Sequence, residues 1–247
     1  MIGYLPAGFP SVAASIELLR EMVRCGADVL EVGLPYSDPV MDGPTIQAAA
    51  QLALEAGTRT SDVLRVVEAA AQLAPTLVMT YWNPVERYGV GRFAADLASA
   101  GGSGLITPDL IPDEAAEWVE AADGSGLDRV FLVAPSSSPQ RLAETAEACR
   151  GFVYATAVMG VTGAREQTSS EAPDLVRRVR DVTDKPVGVG LGVSNGAQAA
   201  QVAAYADAVI VGSAFVRTVL ETADKKSAVS NVAALTSDLA DGVRGKG

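Results

Sequence analysis

Short apolar runs alternate along this chain with longer stretches whose apolar residues recur at helical spacing. The runs are Ile2–Pro6, Val29–Gly33, Thr76–Tyr81, Gly104–Thr107, Arg129–Val133, Phe152–Thr156, Pro186–Gly190 and Ala208–Gly212. Each has the length of a strand. The stretches between them read as amphipathic helices. In Ser11–Cys25, Val12, Ile16, Leu19 and Val23 fall on one face. Ser138-Pro139 reads as an N-cap followed by a first helical residue, and Pro112–Ala122 and Ser170–Val182 read likewise. Eight strand–helix units in 247 residues predict one (β/α)8 TIM barrel domain over 1–247, with a doubly wound open sheet as the alternative. No linker, low-complexity block or shift of composition interrupts the alternation.

One residue breaks the pattern. Alternation along Val29–Gly33 puts Val29, Glu31 and Gly33 on one face; if that face is the lumen, Glu31 points into the barrel mouth. Burying it costs several kcal/mol unless something compensates. The structural reading ties Glu31 to an arginine or tyrosine inside the barrel; the chemical reading uses it. The strand then breaks into a proline-studded loop, Pro35 to Pro44, containing Ser37-Asp38-Pro39 and Asp42-Gly43-Pro44. Asp38 and Asp42 are both natural turn residues. One carboxylate fixed on a strand and another on a movable loop also suit a reaction that handles two protons.

Composition narrows the chemistry. The chain is 49% hydrophobic and 20% charged, as expected of one large α/β domain. No apolar run approaches the ~18 residues of a membrane span, and no signal peptide is expected, since no charged stretch followed by an apolar one opens the sequence. Cys25 and Cys149 make no disulfide framework, so a cytoplasmic protein is expected. A net charge of −11 argues against a nucleic-acid partner. The chain has no histidine, which removes histidine-based triads and histidine-ligated metals. Lys185, Lys225, Lys226 and Lys246 are the four lysines, and none is placed for a Schiff base. Acid–base work falls to Asp, Glu, Tyr or water.

In a (β/α)8 barrel, chemistry sits at the C-terminal ends of the strands. There the chain offers three glycine turns: Met159–Ala164, Gly190–Ser194 and Val211–Ala214. Their free N–H groups and helix ends make an anion cradle that needs no Lys or Arg, with phosphate the expected guest.

The stretch "LEVGLPYSDPVMDGPTIQ" (30–47), with "FVYATAVMGVTGAR", "VGLGVSN", "VIVGSAFV", "GYLPAGFP" and "GLITPDLIPDEA", resembles in order and spacing the signatures of the tryptophan synthase α subunit family. The resemblance implies retro-aldol cleavage of indole-3-glycerol phosphate to indole and glyceraldehyde 3-phosphate. It matches Glu31 to the catalytic glutamate and Asp42 to the loop aspartate. Tyr154 matches an active-site tyrosine, Tyr4 and Tyr81 pocket-lining aromatics, and Gly163, Gly192, Gly212 and Ser213 the phosphate-binding positions. It further implies an α2β2 complex with a pyridoxal-phosphate-carrying β subunit, and no cofactor or metal on this chain. The family's short helix before the first strand is expected to be missing, since Met1 stands almost at that strand. Alternatives are another phosphate-sugar barrel enzyme, a catalytically silent activating subunit and a stand-alone indole-3-glycerol phosphate lyase.

Overall fold

Eight parallel strands close on themselves in chain order, with β8 returning to β1, in the computed structural model of this chain, which describes residues 1–156 and 171–245. The elements run β1 (Ile2–Pro6), α1 (Val12–Arg24), β2 (Val29–Gly33), α2 (Pro44–Glu55), α3 (Thr60–Ala71), β3 (Thr76–Met79), α4 (Trp82–Tyr88), α5 (Val90–Ser99) and β4 (Gly104–Thr107). Then come α6 (Ala116–Ser125), β5 (Asp128–Val133), α7 (Pro139–Ala148), β6 (Val153–Thr156), α8 (Ala172–Arg180), β7 (Val187–Gly190), α9 (Gly196–Ala203), β8 (Ala208–Val211), α10 (Ser213–Leu220) and α11 (Lys225–Val243). The open-sheet alternative is excluded by the pairing of Ile2 with Ile210 and of Gly3 with Val211, which shuts the barrel.

Alternation along each strand sorts the side chains into two cores. Ile2, Leu77, Ile106, Val130 and Ile210 fill the lumen. Their neighbours point outward, so Leu5, Leu30, Val32, Val78 and Leu105 pack under the helices. This leaves the lumen plugged below and open only at the C-terminal rim.

The expected elements are present with shifted ends. β3 stops at Met79 because Thr80 and Tyr81 lead into α4, with Tyr81 at its N-cap. β7 starts after Pro186, which has no N–H to give the ladder. Pro112–Ala122 is not one helix: a single 3₁₀ turn, Pro112–Glu114, precedes α6, and Ala115 separates them. On α1 the buried stripe is Ser15, Leu18, Leu19 and Met22, with Val12, Ile16 and Val23 flanking it half-buried. Ser11 and Ser138 act as the expected N-caps, accepting from the N–H groups of Ala14 and Arg141 at 3.1 and 3.2 Å. No helix among the described residues is long and apolar enough to cross a membrane.

A close backbone approach joins α11 to α9. A Cβ at Gly242 would stand 2.1 Å from the carbonyl oxygen of Gly196 and 2.8 Å from its Cα, and neither backbone atom can rotate away. Gly242→Ala should therefore destabilise the fold by about 1–3 kcal/mol despite alanine's better helix propensity. Urea denaturation checks this, and an unchanged midpoint would show that the two helices separate freely.

Candidate active site

Glu31 sits in the middle of β2, opposite Tyr4 on β1 and Leu77 on β3. It is 0% exposed, and neither carboxylate oxygen has a hydrogen-bond partner among the described residues. The structural reading, a carboxylate tied to arginine or tyrosine, is therefore not what the barrel provides. Burial alone pushes its carboxyl up to about 8. Glu31 holds its proton at neutral pH.

Asp42 stands on the Leu34–Gly43 loop, between β2 and α2. The loop is clipped by one side chain. The Tyr81 hydroxyl accepts the N–H groups of Met41 at 2.9 Å and Asp42 at 3.1 Å, and it also hydrogen-bonds the Asp42 carboxyl. All the bonding capacity of one phenol is thus spent on one turn of loop. Gln47 adds a bond from its amide to the Asp42 carbonyl at 2.7 Å. Burial raises the Asp42 carboxyl to about 6, against the opposing pull of the Tyr81 hydrogen bond. Tyr81 is in turn held by Tyr36, whose ring lies 5.4 Å away and whose hydroxyl accepts from Asn83 at 2.8 Å.

The two carboxyls line one cleft at the C-terminal rim. Tyr4 and Tyr154 stand with them, both phenols held well above their ordinary range by burial and by the neighbouring carboxyls. Ile46, Met79 and Leu132 form an apolar wall, and Gly192, Gly212 and Ser213 form a polar rim. The rim's two glycine turns are not equivalent. At β7 the following helix is already capped: Asn195 accepts from Gln198 N–H at 2.9 Å, Asp238 from Gly196 N–H at 2.7 Å, and Gln198 from Ser194 N–H at 2.8 Å. At β8, Gly212 caps α10 with no side-chain bond, so the first N–H groups of α10 are the ones left for an anion.

Of the residues expected from the sequence, Glu31, Asp42, Tyr4, Tyr154, Gly192, Gly212 and Ser213 line this cleft together. Tyr81 stands behind it, on the loop side of Asp42. Gly163 and the rest of Met159–Ala164 lie outside the described residues. Sequence reasoning passed over Met79 and Leu132, because an aliphatic residue at a strand end looks like core, and it passed over Met41 on the loop and Ile46 in the first turn of α2. Strand parity was the available signal: Met79 follows Leu77, and Leu132 follows Val130, by two positions on a lumen face.

Comparison with known proteins gives one answer. The family model for the tryptophan synthase alpha chain matches residues 1–244. The tryptophan synthase alpha chain of Acidothermus cellulolyticus is 60% identical over 245 residues, covering 99% of this chain and 91% of its own. That of Salinispora arenicola is 61% identical, covering 99% and 92%. Among solved structures, Mycobacterium tuberculosis tryptophan synthase superposes with a TM-score of 0.92 at 59% identity, over 98% of this chain and 91% of that one. A Pyrococcus furiosus tryptophan synthase complex does so with 0.89 at 32% identity, over 96% of each chain.

The raised Glu31 carboxyl has a stability consequence with a definite sign. Below pH ~4.5 the group is protonated folded and unfolded, so it imposes no ionisation cost. As pH rises toward about 8 the unfolded chain sheds the proton while the folded chain keeps it, and stability falls. Full burial puts the loss on the order of 5 kcal/mol. Glu31→Gln should therefore melt higher than wild type at pH 8, with the gain shrinking toward pH 4. Equal melting temperatures across that range would mean that Glu31 is solvated or paired.

Proposed function

Because the chain belongs to the tryptophan synthase alpha chain family, we propose that this cleft carries out retro-aldol cleavage of indole-3-glycerol phosphate. The observation that carries the reading is geometric: a fully buried Glu31 carboxyl with no hydrogen-bond partner among the described residues shares one cleft with the Asp42 carboxyl. Burial pushes the first up to about 8 and the second to about 6. Between those values the first is an acid and the second an anion.

In this mechanism Glu31 delivers its proton to C3 of the indole ring, and the positive charge spreads to the ring N–H. Asp42, ionised, accepts a hydrogen bond from that N–H and stabilises the developing cation. The Glu31 carboxylate then takes the proton of the hydroxyl on the carbon attached to C3. The oxygen's electrons form the aldehyde C=O, the bond to C3 breaks, and its pair returns to the ring. Indole and glyceraldehyde 3-phosphate result, and Glu31 again holds one proton. The protonated indole is its own electron sink, so the step calls for neither an imine-forming lysine nor a metal. The phosphate end lies against Gly212 and Ser213 at the uncapped start of α10, beside Gly192. The indole end lies against Ile46, Met79 and Leu132.

A β subunit carrying pyridoxal phosphate, in an α2β2 complex, is the partner we propose for the face around this loop, and the cytosol the location. The loop tip supports it: Asp38 is exposed, and Val40 is 73% exposed on the segment that carries Asp42. A second cleft behind the same loop, lined by Tyr36, Asp38, Arg59 and Asn83, offers the relief such a partner would fill.

Two results test the chemistry. kcat/KM for indole release should be bell-shaped, falling below pH ~6 as Asp42 gains its proton and above pH ~8 as Glu31 loses its own. Glu31→Gln and Asp42→Asn should each lower single-turnover indole formation by ~10²-fold or more, with losses far from additive in the double variant and binding largely retained. Near-wild-type turnover of Glu31→Gln would end this reading.

A further inference from the structure

Gly33 closes β2 two residues beyond Glu31, on the same lumen face, and its backbone gives no reason for a glycine. It is ordinary strand, in register with Pro6 and Met79, and it is not among the glycines at positive φ. What the position lacks is room. A Cβ there would stand 2.3 Å from the hydroxyl oxygen of Tyr4 and 2.7 Å from its Cε2 and Cζ. Tyr4 leaves β1 opposite Glu31, so its ring crosses β2 diagonally and rests its hydroxyl end on the bare Cα of Gly33. Gly212 lies along the near half of the same ring, where a Cβ would meet Cδ1 at 3.2 Å and Cβ at 3.4 Å. The phenol occupies a slot between two glycines, with Gly33 at its Cε2 and hydroxyl end and Gly212 at its Cδ1 side.

We propose that Gly33 is a specificity-determining residue: by leaving room at β2 for the hydroxyl end of Tyr4, it keeps the cleft over Glu31 wide enough for a fused bicyclic ring. The inference deepens the reading of the cleft as a site for indole-3-glycerol phosphate and rests on it. β2 cannot retreat from an added methyl, because the Gly33 carbonyl accepts from Ala7 N–H at 2.9 Å and the next N–H, that of Leu34, donates to Met79 at 3.0 Å. The ring has to move instead, and with Gly212 along its near half the open direction is into the cleft. Asp42, Glu31, Tyr81 and Tyr154 are the titratable groups around the hydroxyl there. A lifted phenol takes width from the aromatic end of a ligand and leaves the start of α10 as it was.

The test is a double-mutant cycle on the full chain, read by calorimetry with two probes. One is indole-3-propanol phosphate, which carries the bicycle but no cleavable bond; the other is glycerol 3-phosphate, which carries only the anion. Gly33→Ala should weaken the indole probe at least ~10-fold and glycerol 3-phosphate less than ~3-fold. In a Tyr4→Leu background, where no ring is left to displace, the same Gly33→Ala change should weaken the indole probe less than ~3-fold. If Gly33→Ala alone fails to fold, the clash is still supported by a double variant that folds and binds. Equal cost in both backgrounds, equal loss for both probes, no loss, or failure of both variants to fold would overturn the seat. A wild-type chain that binds neither probe would overturn the functional reading and this inference together, whereas wild-type binding with an unaffected Gly33→Ala overturns only the seat.

Discussion

A carboxyl without a partner, enclosed in a closed apolar barrel, is the constraint on which the rest of the site depends. Ionised Glu31 would cost several kcal/mol in that position, and no arginine, lysine or hydroxyl among the described residues offsets it. The barrel resolves the conflict by holding the proton on the group instead. The strand gives nearly nothing in conformational freedom, so the proton is held at a fixed place as well as at a raised affinity. Stability is lost for this, as is usual where a fold holds a reactive group unsatisfied.

Everything else in the cleft is arranged around that fixed proton with different degrees of rigidity. Tyr4 and Tyr154 come from β1 and β6, so they are as immobile as the barrel itself. Asp42 comes from a loop, yet its backbone is pinned through the two N–H bonds to Tyr81. The same phenol opposes the burial that raises the Asp42 carboxyl, which keeps the two carboxyls apart in proton affinity. Separation of two acids by environment is what assigns one the role of donor and the other that of anion. At the far rim, side chains take the N–H groups of Ser194, Gly196 and Gln198 after β7, and the uncapped start of α10, with Gly192 beside it, is left to bind charge without a cationic side chain.

Much of this was legible in the sequence because it rests on short-range pattern. Strand parity alone grouped Glu31 with Val29 and Gly33 on one face, and the glycine turns marked the rim; that the face is the lumen came from the closed barrel. The (β/α)8 closure followed from the number and order of units. Other features depend on contacts between distant segments and leave no local mark. Nothing in the sequence around Tyr81 says that its hydroxyl reaches back forty residues to hold Met41 and Asp42. Nothing near Asp238 says that it accepts the Gly196 N–H and so takes one of the N–H groups at the start of α9. That Glu31 has no hydrogen-bond partner among the described residues likewise depends on many strands at once, since an arginine on any neighbouring strand would have provided one.

The account stands on the protonation state of Glu31, and that can be measured directly. A carbon-13 NMR titration of side-chain carboxyl carbons, with Glu31→Gln used only to assign the signal, reports it on the resting protein. The account predicts a Glu31 carboxyl still protonated at pH 7 and titrating near pH 8. A Glu31 signal already ionised at pH 7, with its midpoint at the ordinary glutamate value of about 4.3, would contradict it.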